Sequence, residues 1–167
     1  MLEDPFVHLH SLQTPRASLV LAAGEADNLR TEVWMGGAHS LRGEPLESAV
    51  LRSSWLVDCA GDLDPAYRRA TGRWLACVFP DLDGPLSAMP LISEVVAQAV
   101  AGARLNNGDA PERLYVMCQH GMNRSGLVSG LILRGLGIEA RDAVGRVTAA
   151  RPGALGNAYF RSLLLAE

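Results

Sequence analysis

The stretch from Arg113 to Gly137, RLYVMCQHGMNRSGLVSGLILRGLG, constrains the fold more than any other part of the chain. RLYVMC at 113 to 118 is a short apolar run of strand composition, and GLVSGLILRGLG from 126 reads as a helix that Gly135 and Gly137 terminate. Cys118 therefore stands at a strand-to-helix junction, and a strand that turns at once into a helix is the building unit of a sheet covered by helices.

The rest of the chain repeats that grammar. ASLVLAA at 17 to 23 and TEVWM at 31 to 35 are predicted strands, the second closed by Gly36-Gly37, read as a position of unusual dihedrals. SSWLVDC at 53 to 59, bounded by Ala60-Gly61, and RWLACVF at 73 to 79, stopped by Pro80, read as buried strands. LISEVVAQAVAGARL at 91 to 105 has apolar side chains at three- and four-residue steps, the pattern of a helix packed on one face, and Asn106-Asn107-Gly108-Asp109 ends it. Two further helices are predicted over 139 to 151 and 157 to 167, parted by Pro152-Gly153. The expectation is a single α/β domain over 1–167, with a central, mostly parallel five-stranded sheet flanked by helices and an N-terminal extension at 1–16. There is no internal repeat, low-complexity tract or linker.

Composition bounds the function. With 167 residues the chain can bury a sizeable core without metal or disulfide support, and no apolar run approaches the roughly 18 residues of a membrane helix. MLEDPFVHLHSL carries acids where a secretory signal needs positive charge, so the protein is expected in the cytoplasm, as a monomer. Cys59, Cys77 and Cys118 are odd in number and share no metal-like spacing, while His8, His10 and His39 have no companion ligands; no metal and no cofactor is expected. The positive charges are all Arg, and a net charge of −3 supplies no field for nucleic acid. An anionic substrate has to be captured locally.

The loop Cys118-Gln119-His120-Gly121-Met122-Asn123-Arg124-Ser125-Gly126 offers that capture. Successive backbone N–H groups in a tight loop form an anion nest, and the N-terminus of the following helix adds a positive dipole end. Gln119, His120, Gly121, Met122, Asn123 and Arg124 form the candidate phosphate loop. The planar fork of Arg124 can hold two phosphate oxygens and bind the transition state more tightly than the ground state. Such surroundings favour thiolate over thiol, which makes Cys118 a nucleophile; Gly121 permits the turn, and the Ser125 hydroxyl can donate to the thiolate as it leaves. Protonating the departing oxygen needs an acid, and Phe79-Pro80-Asp81-Leu82-Asp83-Gly84-Pro85, a turn-rich loop after an apolar strand, offers Asp81 and Asp83. A Walker-type nucleotide loop is disfavoured because Leu127 stands where its Lys is required.

With these residues in place, the chain from about Val33 resembles the dual-specificity class of the protein tyrosine phosphatase superfamily. Val33-Trp34-Met35-Gly36-Gly37, Leu56-Val57-Asp58-Cys59, the Asp81–Asp83 loop and Arg151-Pro152 followed by Asn157, Phe160 and Leu164 follow that class in order and spacing. The resemblance implies the phosphatase fold built around a cysteine and an arginine five residues further on. It also implies hydrolysis of phosphate monoesters, with phosphotyrosine, phosphoserine or phosphothreonine in proteins as partner, through a phosphocysteine intermediate. In relatives with a proline opening the acid loop, the acid falls three residues later, which implies Asp83 with Asp81 as the alternative. Asn157 is implied to be structural. Cys59 occupies the place where some lipid-phosphatase relatives carry a cysteine that bonds to the oxidised nucleophile. The chain departs from the family at Met117, where His is usual, which keeps open a phosphate-binding pseudophosphatase. The loop also lacks the lysines of phosphoinositide phosphatases. Finally, Cys118-x-His120-Gly121-x-Asn123-Arg124-Ser125-Gly126 is similar to the loop of cysteine-type RNA 5′-triphosphatases, and only that alternative implies a nucleic-acid partner.

Overall fold

A computed structural model of the protein describes residues 16–26, 28–38, 40–41, 47–105 and 108–166. Its strands are β1 (Ser18–Leu21), β2 (Glu32–Gly36), β3 (Trp55–Asp58), β4 (Arg73–Ala76) and β5 (Arg113–Met117). Its helices are α1 (Ala49–Arg52), α2 (Pro65–Ala70), α3 (Met89–Ala103), α4 (Arg124–Gly135), α5 (Ala140–Ala150) and α6 (Ala158–Leu165). The strands form one five-stranded sheet in the order β1-β2-β5-β3-β4. The pairs β2–β5, β5–β3 and β3–β4 are parallel and only β1 runs antiparallel, at the edge, so the expected mostly parallel sheet is present. Among the described residues no helix is long and apolar enough to cross a membrane.

Both faces of the inner strands are buried, which is why Leu56-Val57 and Tyr115-Val116-Met117 read as unbroken apolar runs. Val57, Leu75, Leu114 and Val116 point into the larger core, together with Ile92, Val128, Ile132 and Phe160 of the long helices. Their neighbours Leu56, Tyr115 and Met117 point the other way, onto Leu51 of α1 and Leu63 and Tyr67 in and beside α2. Because the inner strands are parallel, Gly36, Asp58, Ala76 and Met117 end level with one another. The loops leaving these ends gather along one rim of the sheet, the usual ligand edge of open α/β sheets.

The structure departs from the sequence expectations in particulars. α1 and α2 have four and six residues, too few for a 3.6-residue period to show, and their caps, Ser48 and Asp64, hold them instead. The third strand stops at Asp58 because its carboxylate accepts the N–H groups of Ala60, at 3.1 Å, and Gly61, at 2.8 Å, which turns the chain. α3 begins two residues earlier than predicted, with Pro90 in its first turn, and α4 begins at Arg124 rather than 126. The assignments at 1–15, His39 and Asn106-Asn107 fall outside the described residues.

Candidate active site

Cys118 follows β5, the central strand, and its N–H donates to Gly36 O at 3.1 Å, which extends the pairing with β2 by one residue. The chain then folds back over its own sulfur. Gly121 N–H donates to Cys118 Sγ at 3.2 Å, and Ser125 Oγ lies 3.3 Å from the same atom. Cys118 is 2% exposed and Ser125 fully buried in the first turn of α4, so the sulfur rests on the floor of the loop. Asn123 is the N-cap of α4 but its side chain makes no cap bond, so first-turn N–H groups face the loop with the positive end of the helix dipole.

What presses the loop into shape is the strap Gly36-Gly37. Gly121 has φ +72°, and a Cβ built on it would stand 2.4 Å from the carbonyl carbon of Gly36 and 2.5 Å from Gly37 N. A Cβ on Gly37 would stand 2.9 Å from Gln119 O. Ala38 N–H donates to Gln119 O at 3.0 Å, and the Ser40 hydroxyl accepts Gly37 N–H at 2.8 Å. Neither Gly36 nor Gly37 has a positive φ, contrary to the dihedral reading of the pair. Gly37 has no room for a Cβ because the backbone of Gln119 and His120 passes there, and a Cβ on Gly36 would stand 2.7 Å from Ser40 Cβ.

The residues proposed from the sequence fall into three groups. Gln119 and His120 are exposed on the rim, Met122 and Asn123 are half-buried, and Arg124, also half-buried, donates from Nη1 to Phe79 O at 3.4 Å, at the entrance to the acid loop. Asp81 and Asp83 are both exposed on that loop but differently engaged. Asp81 Oδ2 accepts Asn123 Nδ2 at 2.9 Å, and its Oδ1 accepts Asn157 Nδ2 at 2.8 Å. Asp83 gives Oδ1 to Tyr159 N–H at 3.2 Å, at the start of α6. Cys59 lies buried beside the site, on the strand next to that of Cys118.

Asn157 is the site residue the sequence underrates. It caps α6 by accepting Phe160 N–H at 3.1 Å, which the pattern before Ala158 does suggest. Its Nδ2 also donates to Asp81 Oδ1 and to Leu82 O at 2.9 Å, and its own N–H donates to Asn123 Oδ1 at 3.0 Å. One residue thus ties the Cys118 loop, the Asp81–Asp83 loop and the C-terminal helix together. Met117 is fully buried in the smaller core, on the opposite face of the sheet from Cys118. Among the described residues no group of three or more His, Cys, Asp or Glu side chains could hold a metal ion.

No family model and no curated protein sequence matches the chain. Solved structures do. Human DUSP28 superposes with a TM-score of 0.64 at 21% identity, over 90% of each chain. Tk-PTP in the active form gives 0.62 at 18%, covering 90% of this chain and 94% of that one. A mouse putative dual specificity phosphatase complexed with zinc tungstate gives 0.66 at 20%, covering 90% of this chain and 84% of that one. The chain has the α/β fold of the dual-specificity phosphatases.

Proposed function

We propose that the protein is a cysteine-dependent phosphatase that hydrolyses phosphate monoesters through a phosphocysteine intermediate, with phosphotyrosine, phosphoserine or phosphothreonine in proteins as its substrates. The observation that carries this reading is the position of Cys118 Sγ, held by Gly121 N–H and 3.3 Å from the Ser125 hydroxyl on the floor of an anion-binding loop at a helix N-terminus. The Cys118 thiolate attacks phosphorus as the ester P–O bond breaks, and Arg124 and the loop N–H groups take the charge of the equatorial oxygens. Water then displaces the thiolate, to which Ser125 donates. Action in the cytoplasm as a monomer belongs to the same reading.

The two aspartates divide the remaining work. Both oxygens of Asp81 accept from amide groups that can only donate, so a proton placed there would face a donor and cost a hydrogen bond. Asp83 commits Oδ1 to one backbone N–H, which leaves Oδ2 to carry a proton to the leaving oxygen and to take one from water in the second step. Asp81 is the latch that sets the loop. Asp83→Ala is expected to slow an alkyl phosphate by about 10²–10⁴-fold while sparing an aryl phosphate with a good leaving group. Asp81→Ala should slow both alike. Equal losses on the two substrates in Asp83→Ala would remove Asp83 from the acid role.

The side chain of Met117 cannot reach the sulfur from the far face of the sheet, and the Cys118 cradle is assembled without a preceding histidine, which favours turnover over a binding-only module. Asn123 is engaged by Asp81 and Asn157, so its presence beside His120 has an architectural reason that does not require an RNA substrate.

A further inference from the structure

Trp34 on β2 and Tyr115 on β5 are register partners, so their side chains stand on one face of the sheet. That face is the one turned away from Cys118: both rings pack with the smaller core, and Cys118 belongs to the larger. The two rings have centroids 6.3 Å apart and planes tilted by 46°. Together with Ala17 and Leu41 they wall a cavity of about 300 Å³. Ligand pockets run from about 300 to 1,000 Å³, so this one has room for a small body of two fused rings.

The polar part of the lining is two guanidinium groups, Arg16 and Arg113, and the Ser40 hydroxyl; no carboxylate lines the cavity. Arg113 lies over the Trp34 ring, its guanidinium carbon 4.3 Å from the centroid, and its Nη1 donates to the Tyr115 hydroxyl at 2.8 Å. Glu32, outside the lining, stands 3.4 Å from Arg113 Nε and accepts Trp34 Nε1 at 3.2 Å, which fixes both side chains. Arg16 is exposed and enters no ion pair among the described residues; what the fold uses of it is the backbone carbonyl, which accepts Arg151 Nη1 at 2.7 Å. Two guanidinium groups against one carboxylate leave a single positive charge, which matches a monoanion better than a phosphate dianion. The planar fork of arginine suits a carboxylate in particular.

We propose that this cavity is a second ligand site, distinct from the phosphate loop, that takes a small aromatic carboxylate. The flat body lies against Trp34 and Tyr115 with Ala17 and Leu41 around it, and the carboxylate meets the guanidinium of Arg16 at the exposed side and that of Arg113 above Trp34. The site adjoins the strap. Ser40 accepts Gly37 N–H at 2.8 Å, and Ala17 Cα lies 3.2 Å from where a Cβ on Gly36 would stand. A ligand in the cavity therefore touches residues that hold the strap while staying on the far face of the sheet from Cys118, and its recognition does not depend on the chemistry proposed there.

The test is calorimetric titration of the full-length protein with 1-naphthoate and with 1-naphthalenemethanol, an uncharged molecule of nearly the same shape. Naphthoate is expected to bind at one saturable site and the alcohol about 10-fold or more weakly, as the loss of a charge-assisted hydrogen bond requires. Arg16→Glu should weaken naphthoate by at least as much. Arg68→Glu, the same charge change on an exposed arginine that lies 5.8 Å over Trp74, should leave it unchanged. Ala17→Phe should abolish binding by filling the cavity; thermal unfolding checks that this variant folds, and Arg16→Glu, which alters only an exposed side chain, stands without that check. Saturating tungstate should not displace naphthoate. No saturable binding overturns the site, as do equal affinities for acid and alcohol, equal losses in Arg16→Glu and Arg68→Glu, or displacement by tungstate, which would place naphthoate in the phosphate loop. A protein that binds naphthoate in this way but neither binds tungstate nor hydrolyses an aryl phosphate fails only the functional reading.

Discussion

Cys118→Ser is expected to lower kcat on a small aryl phosphate by about 10⁴-fold or more, to the level of the blank, as removal of a covalent nucleophile does in enzymes whose catalytic groups act as a unit. A serine hydroxyl at this position keeps its proton near neutrality, and nothing on the loop floor is a base that would take it: Sγ meets the N–H of Gly121 and the hydroxyl of Ser125. The same substitution leaves the proposed anion cradle in place, because the loop N–H groups, the α4 terminus and Arg124 are untouched. Tungstate titrated by calorimetry should therefore bind the variant at least as tightly as the wild type, with the negative thiolate gone. Hydrolysis that survives in Cys118→Ser would end the covalent mechanism. Loss of tungstate binding together with hydrolysis would end the assignment of this loop as the phosphate site.

Gly121→Ala should disable the loop without touching a single polar side chain. At φ +72° a residue with a Cβ pays about 1–2 kcal/mol. The added carbon would also press, at 2.4 Å and 2.5 Å, on backbone atoms of Gly36 and Gly37 that cannot swing aside as a side-chain tip can. Overpacking of that kind costs about 1–3 kcal/mol. The smaller sum, about 2 kcal/mol, corresponds to about a 30-fold loss of tungstate affinity if the loop absorbs it. If the fold absorbs it instead, the melting temperature falls by about 4–8 °C. Calorimetry and thermal unfolding on one sample divide the two. Gly145→Ala is the control, since a Cβ there, within α5, meets nothing within 4 Å, and it should leave binding unchanged and raise stability by about 0.5–1 kcal/mol. Wild-type binding and melting in Gly121→Ala would show that the strap does not shape the loop.

Much of this site was legible along the chain because its core is continuous. Cys118, Gly121, Arg124 and Ser125 fall within eight consecutive residues, and the strand before and the helix after each announce themselves by composition and period. The Pro80 to Pro85 loop was legible for the same local reason. A glycine pair such as Gly36-Gly37 looks alike along the chain whether it serves a left-handed turn or close contacts, and only the positions of Ser40, Gln119 and Gly121 tell them apart. Asn157 was legible as a helix cap, but nothing in the sequence states that the other end of its amide reaches Asp81, 76 residues away along the chain. The short helices α1 and α2 left no periodic trace.

The sequence by itself determined which chemistry was available, through a thiol, a guanidinium and a hydroxyl on a loop whose backbone can gather an anion, and it determined the alternation of strands and helices. Tertiary structure decided which partners each of the two aspartates meets, what holds the loop, and that Asn157 reaches both loops. The physical reason is the parallel sheet. Its strands are joined by long crossovers, so residues that touch across the rim are separated by tens of residues, and their register follows from how the apolar faces of β3, β4 and β5 pack beneath the long helices.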